Sequence, residues 1–318
     1  MRIFAKPFVG ELGHELMFWQ ALLRNLRVVH YRKHKAAQQD GGFEMSVGCL
    51  PGHEILYEFA DNIVTVPTEL ITDEMLHTQS TWESSKAAAI NEWFIEQTRP
   101  AANELVLDPE VDCRHKYRHG YHDICGNRSE QLFVLLQPSS YAWHRASALL
   151  STEIFRWGKY IVIYPRYKPG IFATRNWEHW GTIIQHLKLK FPGFKIVVVG
   201  VKALTDATAL QHADIDVILP AGNSDLDFQI ALLAHASFAV TPISGCTFLA
   251  LLTGCPTFVI GPGKCKHHLL YRNIFQTRSF YYSDWNDEDR MPSDYCLSDI
   301  FSRMEVFAVN SYNGRFSV

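Results

Sequence analysis

The sequence predicts an α/β fold with two domains, each built on a parallel β-sheet. Short apolar runs recur along the chain, and those at residues 160–164 and 195–200 are continuous. Continuous runs of this length are typical of strands that are buried on both faces of a sheet. Helical segments separate the apolar runs, and this alternation favours parallel pairing of the strands. The chain has 318 residues, which favours about two domains.

Composition and charge restrict the class of protein. Hydrophobic residues make up 47% of the chain, which is enough for packed cores, and the formal net charge of −3 does not favour binding to nucleic acid. No apolar run approaches the roughly 20 residues of a membrane-spanning helix. Residues 1–7 contain no long apolar segment of a secretory signal. Seven cysteines at scattered spacing suit a reducing compartment, so we expect a cytoplasmic protein.

The first predicted strand, at residues 2–9, ends in a glycine turn that begins a helix. The turn does not match the GxGxxG pattern of dinucleotide-binding proteins. Ligands bind at the carboxyl edge of an open α/β sheet, so a carboxylate in this turn could act as a general base and its neighbours could position a substrate. Alternatively, the two glutamates complement the dipole of the following helix. The residues concerned are Gly10, Glu11, Gly13, His14 and Glu15.

Three more strands are predicted before residue 140. The runs at residues 43–49 and 63–66 are short and apolar, and a third run at residues 132–136 predicts another buried strand. Residues 68–110 are mostly helical in character. Residues 139–157 connect the two halves, and we place the domain boundary near residue 150.

A segment without periodicity lies between the helical region and that third run. It holds five potential zinc ligands, because thiolates and imidazoles are the groups that zinc prefers. Their spacing matches no known zinc module, and a polar loop is the alternative. The residues are Cys113, His115, His119, His122 and Cys125.

The second half alternates strand and helix from residue 160 to residue 262. Asp225 lies where the N-cap of a helix is expected, and Gly254 lies where a helix is expected to end. The predicted strands are residues 160–164, 195–200, 215–219, 238–240 and 256–260, and the predicted helices are residues 180–189, 203–212, 226–236, 248–253 and 299–306.

A turn of small residues joins the strand at 238–240 to the helix at 248–253. The beginning of a helix offers backbone N–H groups that have no acceptor within the helix, and these groups bind anions. The turn therefore predicts an anion site formed by Ser244, Gly245, Cys246 and Thr247.

A basic loop follows the strand at residues 160–164 and contains Arg166, Lys168 and Arg175. Guanidinium groups match pairs of phosphate oxygens. A solvated basic loop is the alternative, but the turn at Ser244 is expected at the same sheet edge. Together the two features favour a diphosphate site.

Three acidic pairs could be mistaken for the metal-binding carboxylates of some sugar-transfer enzymes. None lies at the carboxyl end of a buried strand, so we interpret them as structural and expect no divalent metal. The pairs are Asp214 with Asp216, Asp225 with Asp227, and Asp287 with Asp289.

Two such domains, with a basic loop and a small-residue turn in the second, resemble the GT-B glycosyltransferases. The closest likeness is to the heptosyltransferase-like group. Those chains carry Gly-Asp at the end of the first strand, where this chain has Gly10 and Glu11. They also carry an Asp-Ser-Gly-x-x-His-Leu-Ala run, which resembles residues 243–250, although Ile243 and Phe248 replace its Asp and His.

The basic loop, with residues 175–177, is similar instead to fucosyltransferase-type GT-B enzymes. The likeness covers mainly residues 160–263, with a shorter match at residues 3–19. It implies two Rossmann-like domains that face each other across a cleft. Residues 1–150 would form the acceptor side and residues 151–290 the nucleotide-sugar domain, with residues 291–318 packing back on the first domain.

The resemblance implies a metal-independent transfer of a sugar from a nucleotide-diphosphate-sugar to a hydroxyl group of a glycan, a lipid-linked glycan or a protein. No cofactor is implied, and a lipid-linked acceptor would bring contact with a membrane surface. Arg166, Lys168, Arg175 and the turn at 244–247 would stabilise the leaving diphosphate.

In this scheme Glu11 is the general base, and His14 is a second catalytic candidate. Gly10, Gly13 and Glu15 would lie on the acceptor side. A sugar-nucleotide epimerase of the same fold and a non-catalytic nucleotide-sugar or glycan-binding protein are the alternatives. The sequence does not decide the sugar, the nucleotide, the acceptor, the stereochemical outcome or the oligomeric state.

Overall fold

The computed structural model describes residues 1–36, 42–72, 87–113, 131–168, 173, 176–200, 205–220, 225–266, 273–284 and 290–315. The chain divides into two compact units, residues 1–134 and residues 135–318. Three sequence predictions fall outside the described residues: Arg175, the pair Asp287 and Asp289, and the Cys/His segment beyond Cys113.

The first unit contains a four-stranded parallel sheet in the order β3-β2-β1-β4. Its strands are β1 (Arg2–Ala5), β2 (Glu44–Cys49), β3 (Asn62–Thr65) and β4 (Leu105–Leu107). The first three were predicted from the sequence. β4 was missed because it has only three residues and lies at the edge of the sheet, with Leu105 40% exposed.

The helices of the first unit cover the sheet with apolar side chains such as Leu16, Trp19 and Leu23, which are fully buried. The first helical run is made of three consecutive pieces: α1 (Leu12–His14), a π-helix (Glu15–Trp19) and α2 (Gln20–Ala36). In the described part of this unit, the other helical segments are 3₁₀ turns at Glu54–Tyr57 and Thr68–Leu70, α3 (Ala88–Thr98) and a π-turn at Pro109–Cys113.

The apolar run at residues 132–136 is not a strand, so that prediction is wrong. Residues 131–139 have neither helical nor strand structure, and Leu132 and Leu135 are exposed. The run makes isolated hydrogen bonds, from Leu132 N–H to Ala21 O and from Leu136 N–H to Leu252 O. A strand needs a continuous ladder with a neighbour, and the two units divide within this run.

The second unit contains a six-stranded parallel sheet in the order β10-β9-β8-β5-β6-β7. Its strands are β5 (Tyr160–Ile163), β6 (Lys195–Gly200), β7 (Val217–Pro220), β8 (Phe238–Pro242), β9 (Thr257–Ile260) and β10 (Ser279–Tyr282). The sequence predicted the first five of these. It missed β10, whose first three residues are only half-buried.

The helices of the second unit pack on this sheet around Trp180, Phe238 and Phe258. They are α4 (Ser140–Leu150), α5 (Thr152–Arg156), α6 (Trp180–Lys190), α7 (Ala207–Leu210), α8 (Leu226–His235), α9 (Gly245–Leu252) and α10 (Leu297–Arg315), with 3₁₀ turns at Gly263–Cys265 and Asp294–Cys296. None of the helices in the described ranges has both the length and the apolar character needed to cross a membrane.

Helix α4 belongs to the second unit, so the division falls before the boundary that we placed near residue 150. Ser139 N–H donates to Asp227 Oδ1 at 2.8 Å, and Trp143 Nε1 donates to His235 Nε2 at 3.3 Å. The C-terminal helix α10 places Ile300 in the core of the second unit. Its packing against the first unit stays a prediction.

Candidate functional site

The sheet order of the second unit places β5 between β8 and β6. The chain proceeds from β5 to β6 and β7 on one side, and then builds β8, β9 and β10 on the other. The point where the order reverses is the usual ligand-binding crevice of an open parallel sheet. The basic loop follows β5 and the small-residue turn follows β8. Both predicted anion-binding features therefore begin at the switch point.

The turn after β8 is organised by the Thr247 hydroxyl, which is fully buried. Thr247 Oγ1 donates to Pro242 O at 2.7 Å, lies 3.0 Å from Thr241 Oγ1, and accepts from Ser244 N–H at 3.2 Å. Ser244 and Thr247 adopt the arrangement of a capping box at the start of α9. The first turn of α9 contains no acidic residue. Its N-terminus is thus suited to an anion.

Asn176, whose role the sequence did not reveal, holds the described part of the basic loop after β5, residues 166–168. Asn176 Oδ1 accepts from Lys168 N–H at 2.7 Å, and Asn176 Nδ2 donates to Lys168 O at 2.8 Å. The same Oδ1 accepts from Arg166 Nη1 at 3.4 Å. Arg166 also pairs with Thr205 in an antiparallel bridge. The Arg166 side chain is half-buried and Lys168 is buried.

Arg166 and Ser244 both affect the pKa of one thiol, that of Cys246 at the second position of α9. Burial raises the pKa of Cys246 to about 11, while a hydrogen bond to the Ser244 side chain and the positive charge of Arg166 lower it. The guanidinium group therefore lies within electrostatic range of the helix N-terminus. Arg166 and the α9 N-terminus follow the neighbouring strands β5 and β8, and a guanidinium and a helix N-terminus are both groups that bind a diphosphate.

The first unit has its own switch point, between β1 and β4. Glu11 follows β1 as the N-cap of α1, and its Oε2 lies 3.6 Å from His14 Nδ1. Both side chains are partly exposed, at 27% for Glu11 and 17% for His14. The His14 ring stacks on Phe18. The turn thus brings together the two residues that we predicted to be catalytic, whereas Gly13 is buried.

Glu15 differs from Glu11 because its side chain is fully buried. Tyr57 donates a hydrogen bond to Glu15 Oε1 at 2.6 Å, and His53 Nδ1 lies 2.7 Å from Glu15 Oε2. The sequence did not reveal this cluster, since His53 and Tyr57 are about 40 residues away and follow β2. The turn at Pro51 follows the second strand, and it was the feature of the sequence that could have indicated polar residues at this sheet edge.

The acidic pairs that the structure describes have structural partners. Asp216 accepts from the Lys188 and Lys195 ammonium groups and from Ile196 N–H. These contacts outweigh the effect of burial, which raises the pKa of Asp216, and the net pKa lies below its usual value. Asp225 caps α8, as predicted.

Within the described ranges, the potential metal ligands that come together belong to Glu178, His179 and Asp294. Their ligand atoms all lie within 4.8 Å of one another. Asp294 is 80% exposed, and its Oδ1 lies 2.8 Å from His179 Nε2. This contact accounts for the closeness of Asp294 and His179 without a cation. Metal independence stays a prediction.

No family model matches the sequence, and no match was found among curated proteins. Solved structures do match. ADP-heptose lipopolysaccharide heptosyltransferase II of Escherichia coli is 14% identical with a TM-score of 0.57, covering 98% of this chain and 99% of that one. A family 9 glycosyl transferase from Veillonella parvula is 11% identical with a TM-score of 0.57, covering 97% of each chain.

The fold is that of the GT-B glycosyltransferases. A third structure, E. coli heptosyltransferase WaaC with ADP-2-deoxy-2-fluoro heptose, is 14% identical with a TM-score of 0.50, covering 96% of this chain and all of that one. The resemblance seen in the sequence is thereby confirmed at the level of the fold. At 11–14% identity the likeness does not extend to the reaction.

Proposed function

We propose that the protein is a glycosyltransferase that moves a sugar from a nucleotide-diphosphate-sugar to a hydroxyl acceptor. The convergence of Arg166 with the N-terminus of α9, at the switch point between β5 and β8, supports this proposal most directly. A nucleotide diphosphate presents charged oxygens to both groups. One similar structure is named as an ADP-heptose heptosyltransferase and another as a heptosyltransferase with ADP-2-deoxy-2-fluoro heptose, so ADP-sugars are the first donors to test.

In the reaction, the acceptor oxygen bonds to the anomeric carbon while the bond from that carbon to the diphosphate oxygen breaks. The nucleoside diphosphate leaves with the bonding electrons. Arg166, Lys168 and the α9 N-terminus stabilise its growing negative charge, as a divalent cation does in other enzymes. Ile243 and Phe248 are buried and apolar, so neither contributes charge. Glu11 takes the proton from the acceptor hydroxyl, and His14 is the neighbouring polar group.

The donor site is tested by thermal shift against nucleoside diphosphates and nucleotide-sugars, with and without EDTA. A ligand at 100 times its Kd stabilises the folded state by about 2.7 kcal/mol. For a unit of this size the melting temperature then rises by roughly 5–10 °C. Arg166→Gln is expected to abolish most of the shift, and the exposed Arg303→Gln on α10 is the matched control. No shift with any ligand contradicts the proposal.

The chemical role of Glu11 is tested by Glu11→Gln, which removes the base and keeps the side-chain size. Turnover with the donor identified above is expected to fall by about 100-fold or more, with an unchanged donor Kd. Glu96→Gln, on the exposed face of α3, is the control for the same change. Conversion of the nucleotide-sugar without any acceptor would favour the epimerase, and donor binding that is never followed by turnover would favour a binding protein.

A further inference from the structure

The helix that begins beside Glu11 contains an unusual turn. A five-residue π-helix, Glu15–Trp19, separates α1 from α2 and begins directly after His14. Single π-turns within α-helices are rare and frequently occur at functional sites. Such a turn needs support, because it breaks the regular pattern of hydrogen bonds within the helix.

The front of the π-turn is anchored by Glu15. A buried carboxylate is unfavourable unless its oxygens have partners. Here one oxygen accepts from the Tyr57 hydroxyl, and the other lies at hydrogen-bond distance from His53 Nδ1. Both partners belong to residues 53–57, which follow β2, the neighbour of β1 in the sheet.

A second anchor holds the back of the same turn. The buried Gln20 donates from Nε2 to Leu16 O at 2.9 Å and accepts from Arg24 Nε at 2.7 Å. Arg24 then donates to Leu56 O at 3.1 Å. The π-turn is therefore tied at both ends to the segment at residues 53–57.

The position of Glu15 is passed to Glu11 through the backbone. Glu11 O accepts from His14 N–H at 2.9 Å and from Glu15 N–H at 3.2 Å. Apolar side chains would stabilise this core as well as polar ones. A buried polar network, in contrast, is satisfied only when its side chains and backbone adopt one arrangement. The network thus fixes the position of the turn that contains Glu11 and His14.

We propose that Glu15 and His53 are positioning residues for Glu11 and His14. This proposal rests on the proposed function, because it concerns the orientation of the base in sugar transfer. Glu15 then acts on Glu11 from the interior of the unit and does not itself contact the acceptor. Tyr57 supports the same carboxylate with its hydroxyl group.

The test combines Glu15→Gln with Glu11→Gln in a double-mutant cycle, with kcat and donor Kd measured well below the melting temperature. If Glu15 acts through Glu11, Glu15→Gln lowers kcat by about 10- to 100-fold with little change in donor Kd, and has no further effect in the Glu11→Gln background. A purely structural role would lower the melting temperature and leave kcat unchanged. That result overturns the proposal.

Glu54→Gln is the matched control, since Glu54 lies in the same segment and accepts from Thr65 outside the network. We expect it to keep the wild-type kcat. If Glu15→Gln does not fold, Tyr57→Phe removes one hydrogen bond and keeps the charge of Glu15. It is expected to lower kcat severalfold with the same non-additivity toward Glu11→Gln, and a wild-type kcat overturns the proposal.

The failure of this inference is distinguishable from the failure of the proposed function. A wild-type protein without donor binding or turnover contradicts the proposed function and, with it, the catalytic purpose of the network. Wild-type turnover that Glu15→Gln leaves unchanged contradicts the positioning role alone.

Discussion

Replacing Thr247 by valine removes one hydroxyl group from the turn between β8 and α9 and leaves the shape of the side chain almost unchanged. Three polar groups lose their partner at once: the Thr241 hydroxyl, the Pro242 carbonyl and the Ser244 N–H. The Thr241 and Thr247 side chains are fully buried, so water does not replace the contacts between them.

The loss of stability follows from these contacts. Each intramolecular hydrogen bond contributes about 0.5–1.5 kcal/mol net, and the added methyl group returns about 0.8 kcal/mol through its burial. With three bonds at about 1 kcal/mol each, we therefore expect Thr247→Val to lower the free energy of unfolding of the second unit by about 2 kcal/mol. The melting temperature of a unit of this size should fall by roughly 4–8 °C.

Thr253→Val is the matched control at the other end of the same helix. Thr253 is also buried, but its hydroxyl makes one contact, a 2.8 Å hydrogen bond to Ala250 O. The lost hydrogen bond and the added methyl group nearly cancel here, so we expect this variant to change the free energy of unfolding by less than about 1 kcal/mol. Because the Thr247 hydroxyl fixes the turn that leads into the α9 N-terminus, only Thr247→Val should weaken nucleoside diphosphate binding, by about tenfold.

Urea denaturation measures both stabilities, and calorimetry measures both affinities. Equal losses of stability in the two variants, with equal affinities for the nucleoside diphosphate, would refute the reasoning that this hydroxyl organises the turn.

Three other outcomes are expected. Gly261→Ala should destabilise the second unit by about 1–3 kcal/mol, because its Cβ would overlap Tyr281 Oη and lie 2.8 Å from Ile243 Cγ2. Gly193→Ala meets nothing within 4 Å and should leave the urea midpoint nearly unchanged. Asp216→Asn should lower the free energy of unfolding by about 1–2 kcal/mol at pH 7. Since the folded-state pKa of Asp216 is lowered, this difference from wild type should be complete above the unfolded pKa and should disappear as the pH falls through the folded pKa. A difference in stability that persists in acid would contradict this. EDTA should leave the initial rate of sugar transfer unchanged, whereas a loss that Mg²⁺ or Mn²⁺ restores would contradict metal independence.

The sequence by itself determined the elements that depend on local signals. Continuous apolar runs identified β5, β6 and β9, because a strand that is covered on both faces is apolar throughout. Asp225 was recognisable as an N-cap, because its short side chain bonds to the backbone three residues later. The turn at residues 244–247 was recognisable because small and hydroxyl-bearing residues separate a strand from an apolar helical run.

Local signals failed where a partner from another part of the chain decides the structure. Residues 132–136 are as apolar as a buried strand, yet no ladder forms there. Strand β4 is only three residues long and the first three residues of β10 are half-buried, and pairing with β1 and β9 makes them strands. Side-chain burial is similarly non-local, since Glu11 and Glu15 are alike in the sequence and only the fold separates the accessible carboxylate from the buried one.

The tertiary structure decided which functional features meet. The sequence placed Arg166 and Ser244 after two strands, but 80 residues, which include β6, β7 and β8, lie between β5 and Ser244. Only the strand order shows that β5 and β8 are neighbours, and only the fold brings the guanidinium into range of Cys246. Hydrophobic period and capping are encoded within a few residues, whereas strand order is fixed by the burial of the whole sheet between its helices.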